Sequence, residues 1–193
     1  MAARVVRNRD LVRVPWKNGG GTTAEIAAFP DGADFETFGW RVSMADVEAD
    51  GAFSRFPGVD RTLVVVEGGG IELDVEGSST LLDRSAPKLS FPGDAPTTGR
   101  LLAGPIRDLN VMTRRGRFMH RSRFVRSGVA LLAEDTCAAL IVPLDGSFDV
   151  TLDGTIHSLQ ALDSLLLEAT QELVQLSGNG RAVLIEIAPD VAS

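Results

Sequence analysis

Short extended runs separated by tight turns fill most of this chain, and this pattern constrains its fold more than any other feature. Gly39 to Val47 alternates between two faces, with Trp40 on one face and Arg41 on the other. Turns rich in glycine and proline recur about every 8–12 residues, and a weak helical stripe occurs only over Ser158 to Glu168. The sequence therefore predicts an all-β chain, folded as a sandwich or a barrel.

The strand pattern occurs twice along the chain. Residues 63–77 and residues 140–154 match when one segment is shifted by 77 positions onto the other. Each contains a strand, a tight glycine turn, an alternating strand and a turn that combines an acidic residue with glycine. Such an internal echo predicts two similar β-units, here residues 1–120 and residues 121–193.

The strand that closes each unit has a different composition. In the first unit it carries Asp108 and Asn110, which share a face with Met112 because side chains alternate along a strand. In the second unit the corresponding segment, residues 182–185, is wholly apolar. Burying a polar group without a hydrogen-bond partner costs roughly 2–7 kcal/mol. We therefore expect the first unit to hold a binding pocket.

A glycine-rich loop near the N-terminus gathers polar donors. Lys17 and Asn18 precede three consecutive glycines, and Thr22 follows them. The phosphate-binding P-loop motif and the dinucleotide-binding motif are both absent. Lys17 is one of only two lysines in a chain whose usual cation is arginine, which favours a specific role for its compact charge. The alternative is a plain turn between two strands.

The charge of the chain limits its partners. The net charge of −7 divides into +2 over residues 1–126 and −9 over residues 127–193. Its overall sign argues against nucleic acid and membrane partners, while the first two-thirds can hold a small anion. No apolar run approaches the roughly 18 residues of a membrane helix, and the first residues lack the apolar stretch of a signal peptide. A cytoplasmic location is expected, with a homodimer through edge strands as the default assembly.

Few residues suit metal or covalent catalysis. His120 and His157 are the only histidines, too few for a site with three nitrogen ligands, so we expect no metal and no cofactor. The nucleophile motif of serine hydrolases is absent, and Cys137 lies among apolar residues that favour an inert thiol. Glu25 and Asp108 remain as a candidate acid–base pair. Alternatively, each of these carboxylates pairs with an arginine of the same unit.

Four segments of the chain resemble the HutD/Ves family, most specifically in the first two-thirds. They are residues 15–26, 40–45, 53–61 and 104–112. The resemblance implies a two-unit cupin fold, that is, a bicupin of RmlC-like jelly-roll barrels. It also implies a link with histidine utilisation, in which proteins of this family are proposed to bind a pathway intermediate and moderate the pathway's regulation.

The resemblance and the polar residues of the first unit together give a candidate ligand-binding set. It consists of Lys17, Asn18, Thr22, Trp40, Arg41, Ser43, Arg61, Asp108 and Asn110. Cations, neutral donors and an aromatic wall suit a small carboxylate such as formylglutamate, urocanate or formate. The alternative is that Arg41 and Arg61 face solvent and that Trp40 belongs to the core.

Three functions are consistent with this set. The first is a metal-free small-molecule binding protein that moderates histidine utilisation. The second is a metal-independent isomerase or hydrolase that acts on a small carboxylate with Glu25 or Asp108 as its base. The third is a protein-interaction scaffold that presents the arginine-rich segment 107–126 to an acidic partner.

Overall fold

The computed structural model describes residues 3–168 and residues 173–190. Within those residues the regular structure is β apart from the short 3-10 helix Asn8–Asp10, which confirms the predicted all-β class. No helix in this part of the chain has the length and apolar character needed to cross a bilayer. In chain order the strands are β1 (Ala3–Val6), β2 (Arg13–Pro15), β3 (Gly21–Phe29), β4 (Trp40–Val47), β5 (Gly51–Ala52), β6 (Val59–Gly68), β7 (Ile71–Val75), β8 (Ser78–Leu82), β9 (Lys88–Pro92), β10 (Thr97–Leu101), β11 (Ile106–Arg114), β12 (Phe118–Val125), β13 (Gly128–Leu131), β14 (Ala138–Pro143), β15 (Ser147–Leu152), β16 (Thr155–Gln160), β17 (Ser164–Glu168), β18 (Leu173–Asn179) and β19 (Ala182–Pro189).

Val12–Arg117 forms one compact unit, unit I, which contains two antiparallel sheets. The larger sheet has the strand order β2-β3-β4-β11-β6-β9, and the smaller has the order β5-β10-β7-β8. Alternate residues of these strands, such as Leu63 on β6 and Leu73 on β7, form the hydrophobic core of the unit. Because side chains alternate along a strand, every second side chain of the larger sheet lies on its interior face, away from solvent.

The described residues of Met1–Leu11 and Phe118–Ser193 form a second compact unit, unit II. Its two antiparallel sheets have the strand orders β1-β17-β14-β19-β12 and β13-β18-β15-β16. The core of this unit is mainly aliphatic, with Phe148 among its buried residues, and includes the fully buried Ile141, Leu165 and Leu184.

The N-terminal strand lies in unit II, although the sequence assigns residues 1–120 to the first unit. Backbone pairing joins all four residues of β1 to residues 164–167 of β17. The side chain of Asp163 holds the residues that follow, because it accepts hydrogen bonds from Arg7 Nη1 at 2.7 Å and from the backbone N–H of Asn8 at 3.0 Å. Arg7 and Asp163 are 156 residues apart in the chain, so no local sequence signal reveals this pairing.

The weak helical stripe over Ser158 to Glu168 is not a helix. These residues form the end of β16, a turn and β17. Leu162 occupies the turn with a φ of 65°, while Leu159 and Leu165 on either side enter the core of unit II. The spacing of these leucines imitates a helical period because buried leucines of two strands lie on either side of a short turn.

The two closing strands differ in the way that the sequence predicts. In unit I, β11 pairs with β6 and brings Asn110 opposite Leu63. In unit II, β19 pairs with β14 and brings Leu184 opposite Ile141. Leu63, Ile141 and Leu184 are all core residues. The closing strand of unit II therefore places the aliphatic side chain of Leu184 where the closing strand of unit I places the amide of Asn110.

Candidate anion-binding site

Five of the sequence-predicted residues meet on the interior face of the larger sheet of unit I. They are Arg41 and Ser43 on β4, Arg61 on β6, and Asp108 and Asn110 on β11. The register sets Arg41 and Arg61 on either side of Met112, and it sets Ser43 opposite Asn110. Alternation explains this placement, because Asn110 is also opposite the core residue Leu63 and residues opposite each other share a face.

The guanidinium of Arg61 is held by a neutral amide rather than by a carboxylate. Its Nε and Nη2 donate to Asn110 Oδ1 at 2.9 and 2.7 Å. Among the described residues no carboxylate forms an ion pair with it, and only 7% of Arg61 is exposed. Burial lowers the pKa of Arg61 to about 10, with the negative charge of Asp108 opposing the shift and the positive charge of Arg41 adding to it.

Asp108 ends a chain of hydrogen bonds that begins at Arg61. Asn110 Nδ2 donates to Asp108 Oδ1, while Asp108 Oδ2 is buried and receives no hydrogen bond from any described residue. Burial raises the pKa of this carboxyl to about 7; the charge of Arg61 opposes the rise, and the charge of Asp46 adds to it. Asp108 is therefore a carboxyl that changes its charge near neutral pH.

Arg41 lies beside the same cluster and has a carboxylate partner at the rim. Its Nε donates to Glu25 Oε2 at 2.8 Å, and its Nη1 donates to Ser43 Oγ at 3.2 Å. The side chain of Arg41 is 10% exposed and that of Glu25 is 40% exposed, so this ion pair runs from the interior to the surface. Glu25 is thus the partner of an arginine, which is one of the two roles that the sequence leaves open for it.

Four phenylalanines enclose the two guanidinium groups. They are Phe35, Phe53, Phe56 and Phe91. The ring of Phe35 lies 4.7 Å from Arg41 Cζ, and the other three rings lie 5.1, 5.9 and 5.4 Å from Arg61 Cζ. Phe35 is 54% exposed and packs on Phe56 with 5.6 Å between ring centroids, so it lies between the arginines and solvent. The sequence indicates Phe53 and Phe56 only as turn anchors, and it gives no signal for Phe35 in the loop between β3 and β4.

Four residues of the predicted set lie outside this cluster. They are Lys17, Asn18, Thr22 and Trp40. The first two are exposed in the turn before β3, where the Asn18 side chain accepts a hydrogen bond from the N–H of Gly20. Thr22 donates to Asp46, which is five residues from Arg41 along β4, or about 16 Å at the usual rise per residue. Trp40 points to the opposite face from its neighbour Arg41 and stacks on Phe29 with 6.2 Å between ring centroids.

The glycine run before β3 has a structural role at that distant end of the sheet. A Cβ at Gly21 would overlap the carbonyl oxygen of Asp46 on β4. Gly19 has a φ of 71°, which glycine adopts far more readily than other residues. Close approach of two strands and one left-handed turn therefore account for the loop.

An open groove of about 650 Å³ lies near the same end of the sheet. Its lining includes Asp46, Glu67 and Arg107. Arg107 Nε donates to Asp46 at 2.6 Å, and Arg107 Nη1 lies 2.8 Å from Glu67. Since these carboxylates already pair with the arginine that lines the groove, the groove suits an anion less well than the Arg41–Arg61 cluster does.

The arginine-rich segment 107–126 forms several further ion pairs within its own units. Arg115 contacts Asp60 and Asp94 in unit I, and Arg121 contacts Asp135 in unit II. These pairs reduce the positive charge available to an outside partner. The scaffold function of this segment stays a prediction.

The two histidines lie apart from the arginine cluster in the chain. His120 is on β12 and His157 is on β16, and both strands belong to unit II. In the described part of the chain, no group of three or more histidine, cysteine, aspartate or glutamate side chains is placed to hold a metal ion.

Comparisons of the sequence with known proteins find relatives along nearly its whole length. A family model described as HutD matches residues 8–184. An uncharacterised 21.2 kDa protein in the hutC 3′ region of Pseudomonas putida is 36% identical over 187 residues, which cover 95% of this chain and 96% of that protein. Protein Ves of Citrobacter koseri is 40% identical over 113 residues, which cover 56% of this chain and 58% of that protein.

Solved structures agree with these matches. HutD from Pseudomonas fluorescens, determined in a formate condition, has a TM-score of 0.83 at 36% identity, with 97% of this chain and 99% of that chain covered. A conserved protein of unknown function from Pseudomonas aeruginosa has a TM-score of 0.86 at 33% identity, with 99% and 100% covered. A protein of Escherichia coli named Ylba, with a TM-score of 0.74 at 13% identity over 99% of this chain and 92% of that chain, shares the fold alone.

Proposed function

The chain belongs to the HutD family, and on that premise we propose that it binds a small carboxylate metabolite at the Arg41–Arg61 pair and thereby moderates histidine utilisation. The family is associated with the histidine-utilisation cluster, and its fold here is all-β and cupin-like. In this proposal the partner is a small anion in the cytoplasm rather than a nucleic acid or a membrane.

The observation that carries the proposal is the imbalance of charge at Arg61. Its guanidinium is buried beside that of Arg41, and its hydrogen-bond partner is the uncharged Asn110. A buried charge is costly unless an opposite charge or well-placed hydrogen bonds offset it. A carboxylate bound between the two arginines would supply that charge and accept bidentate hydrogen bonds.

The surrounding side chains suit a small, planar anion. Aromatic rings pack on both guanidinium groups. Asn110, Glu25 and Ser43 engage Nε and Nη2 of Arg61 and Nε and Nη1 of Arg41, so among the described residues Nη1 of Arg61 and Nη2 of Arg41 remain for ligand oxygens. Formylglutamate, urocanate and formate each present a carboxylate of this kind, and all three are candidates. A mostly apolar enclosure with a few fixed polar groups is typical of small-molecule sites.

Isothermal titration of these three acids, with and without Arg61→Met, tests the proposal. The methionine keeps the apolar contacts with the phenylalanines but removes the charge, so we expect affinity to fall by about 100-fold while the fold is kept. Arg100→Met is the matched control, because Arg100 pairs with Glu72 at the exposed surface of the same unit. Equal affinity in wild type and Arg61→Met, or no binding of any of the three acids to wild type, would overturn the proposal.

A second candidate is a metal-independent isomerase or hydrolase with Asp108 as its base. The pKa of about 7 for the buried carboxyl of Asp108 favours this alternative, because a general base works best when its pKa is near the operating pH. NMR of the wild-type protein with a mixture of histidine-degradation intermediates would reveal turnover. Turnover that disappears in Asp108→Asn would support the enzyme, and no turnover in wild type would exclude it for those substrates.

A further inference from the structure

We infer that a second copy of this chain covers the outer face of the smaller sheet of unit II, the sheet with the strand order β13-β18-β15-β16. The contact is a two-fold one, in which the same face of each copy packs against the other. It differs from the edge-strand dimer that the sequence suggests by default. It also does not depend on the anion site of unit I.

Four exposed aliphatic side chains lie together on this face. Val129, Leu131, Ile156 and Leu173 are 67%, 63%, 63% and 62% exposed. Strand register sets Leu131 opposite Leu173, and it aligns Val129 and Ile156 at the two ends of one row across the four strands. Ala130, between Val129 and Leu131, belongs to the core of unit II, so alternation turns its two neighbours outward. Single exposed aliphatic residues are ordinary, but a cluster of them marks an interaction site.

The rest of this face is almost free of charge. Its other outward strand positions are Ser147, Asp149, Thr151, Ser158, Gln160, Gln175, Ser177 and Asn179. Asp149 is the one charged residue among these described positions, and it accepts a hydrogen bond from Ser158 Oγ at 2.6 Å. Depletion of charged residues distinguishes the centre of an interface from ordinary protein surface.

The corresponding sheet of unit I shows the composition of a face that meets water. That sheet, with the order β5-β10-β7-β8, turns Glu72, Asp74 and Arg100 outward while Leu73 enters the core. Glu72 and Arg100 form an ion pair at 2.5 Å. Leu81 is 57% exposed on this face, directly opposite Glu72. The two smaller sheets share one design, yet the outward positions of unit II lack the charges that unit I presents.

The distribution of charge favours a second copy as the partner. Residues 127–193 carry a net charge of −9, so two copies repel each other over most of this half of the chain and meet most readily at its uncharged face. A basic partner would instead bind the acidic surface. Gln175 and Thr151 lie in the middle of the row between Val129 and Ile156. Each offers both a donor and an acceptor, so each can pair with its own kind across a two-fold axis.

The size of the face sets the expected strength of the contact. The sheet is four strands wide, or about 19 Å at about 4.8 Å per strand, and a strand of six residues is about 20 Å long. Specific interfaces bury roughly 600–1,000 Å² per partner. A face of these dimensions with raised side chains is at the small end of that range, so we expect a dissociation constant of about 1–100 µM.

Sedimentation equilibrium of the full chain, from about 1 to 500 µM, tests the inference. We expect the wild-type mass to rise from that of one chain toward that of two. Leu131→Arg and Ile156→Arg lie on the two edge strands of the face, and each should raise the dissociation constant about tenfold or more, because each buries an unpaired charge in the contact. Leu81→Arg is the matched control, since it changes a similarly exposed residue on an edge strand of the corresponding sheet; it should leave the constant unchanged.

Three results would overturn the inference. The first is a wild-type protein that stays monomeric over the whole range, which would mean that another molecule or solvent covers the face. The second is a dimer that Ile156→Arg leaves intact, which would place the contact along the edge of β13 or elsewhere. The third is equal weakening in Leu81→Arg. The wild-type mass needs no variant, and all three substituted side chains are largely exposed, so the test does not depend on the folding of a variant.

Discussion

Replacing Asp108 with asparagine should change how the stability of unit I depends on pH. The pKa of Asp108 is raised from 3.8 to about 7 in the folded state, chiefly by burial. The folded state therefore holds this proton more tightly than the unfolded chain does, and wild-type stability falls as pH rises from about 4 to above 7. Asparagine has a similar shape and no charge to titrate, so Asp108→Asn lacks this contribution.

The expected size of the effect follows from the shift in pKa. A rise of about 3 pKa units at about 1.4 kcal/mol per unit corresponds to about 4 kcal/mol. The free energy of unfolding of Asp108→Asn, minus that of wild type, should therefore increase by about 4 kcal/mol between pH 4 and pH 8. Because the difference between variant and wild type is compared at two pH values, any effect of the asparagine on stability that does not depend on pH cancels.

Urea titrations followed by tryptophan fluorescence measure this difference. Both tryptophans, Trp16 and Trp40, belong to unit I, so their signal reports the unit that contains Asp108. Other carboxylates titrate in both proteins and drop out of the comparison. Parallel pH curves for wild type and Asp108→Asn would refute the reasoning, because they would mean that Asp108 titrates alike in the folded and unfolded chain.

Two further predictions concern the frame around the site. Gly21→Ala should lower the free energy of unfolding by about 1–3 kcal/mol, because its methyl group would overlap the Asp46 carbonyl oxygen. Gly51→Ala is the control: its methyl group would lie in open space, so this variant should be neutral or slightly stabilising in the same urea titration. Equal losses of stability in the two variants would contradict this explanation. Asp163→Ala should lower the free energy of unfolding by about 3 kcal/mol and expose the amides of β1 to hydrogen exchange, because it removes the hydrogen-bond acceptor for Arg7, Asn8 and Gln160. Asp10→Ala at the surface is the control. Unchanged protection of β1 in Asp163→Ala would show that strand pairing alone holds this strand.

The interior position of the polar cluster could be predicted from the sequence because alternation decides which residues share a face. Arg41 and Ser43 fall on one side of β4, and Asp108 and Asn110 interrupt a closing strand whose counterpart in unit II is apolar over residues 182–185. Alternation does not give register, however. That Arg61 would lie across Met112 from Arg41 depends on the pairing of three strands.

Thr22 and Phe35 show the limit of local patterns. Thr22 shares the sequence neighbourhood of the candidate set, yet register puts it about five residues along the sheet from Arg41. Phe35 covers Arg41 from a loop whose composition resembles that of any exposed turn. Such placements depend on contacts between distant segments, which periodicity within one segment does not encode.

The pairing of β1 with β17 makes unit I an insertion within unit II along the chain. During translation β1 leaves the ribosome before unit I, and its partner β17 is synthesised only after all of unit I. Unit I can therefore complete its sheets while the backbone of β1 is still unpaired. A truncated protein that starts at residue 12 would retain every strand of unit I, but β17 would become a bare edge that invites association with another molecule.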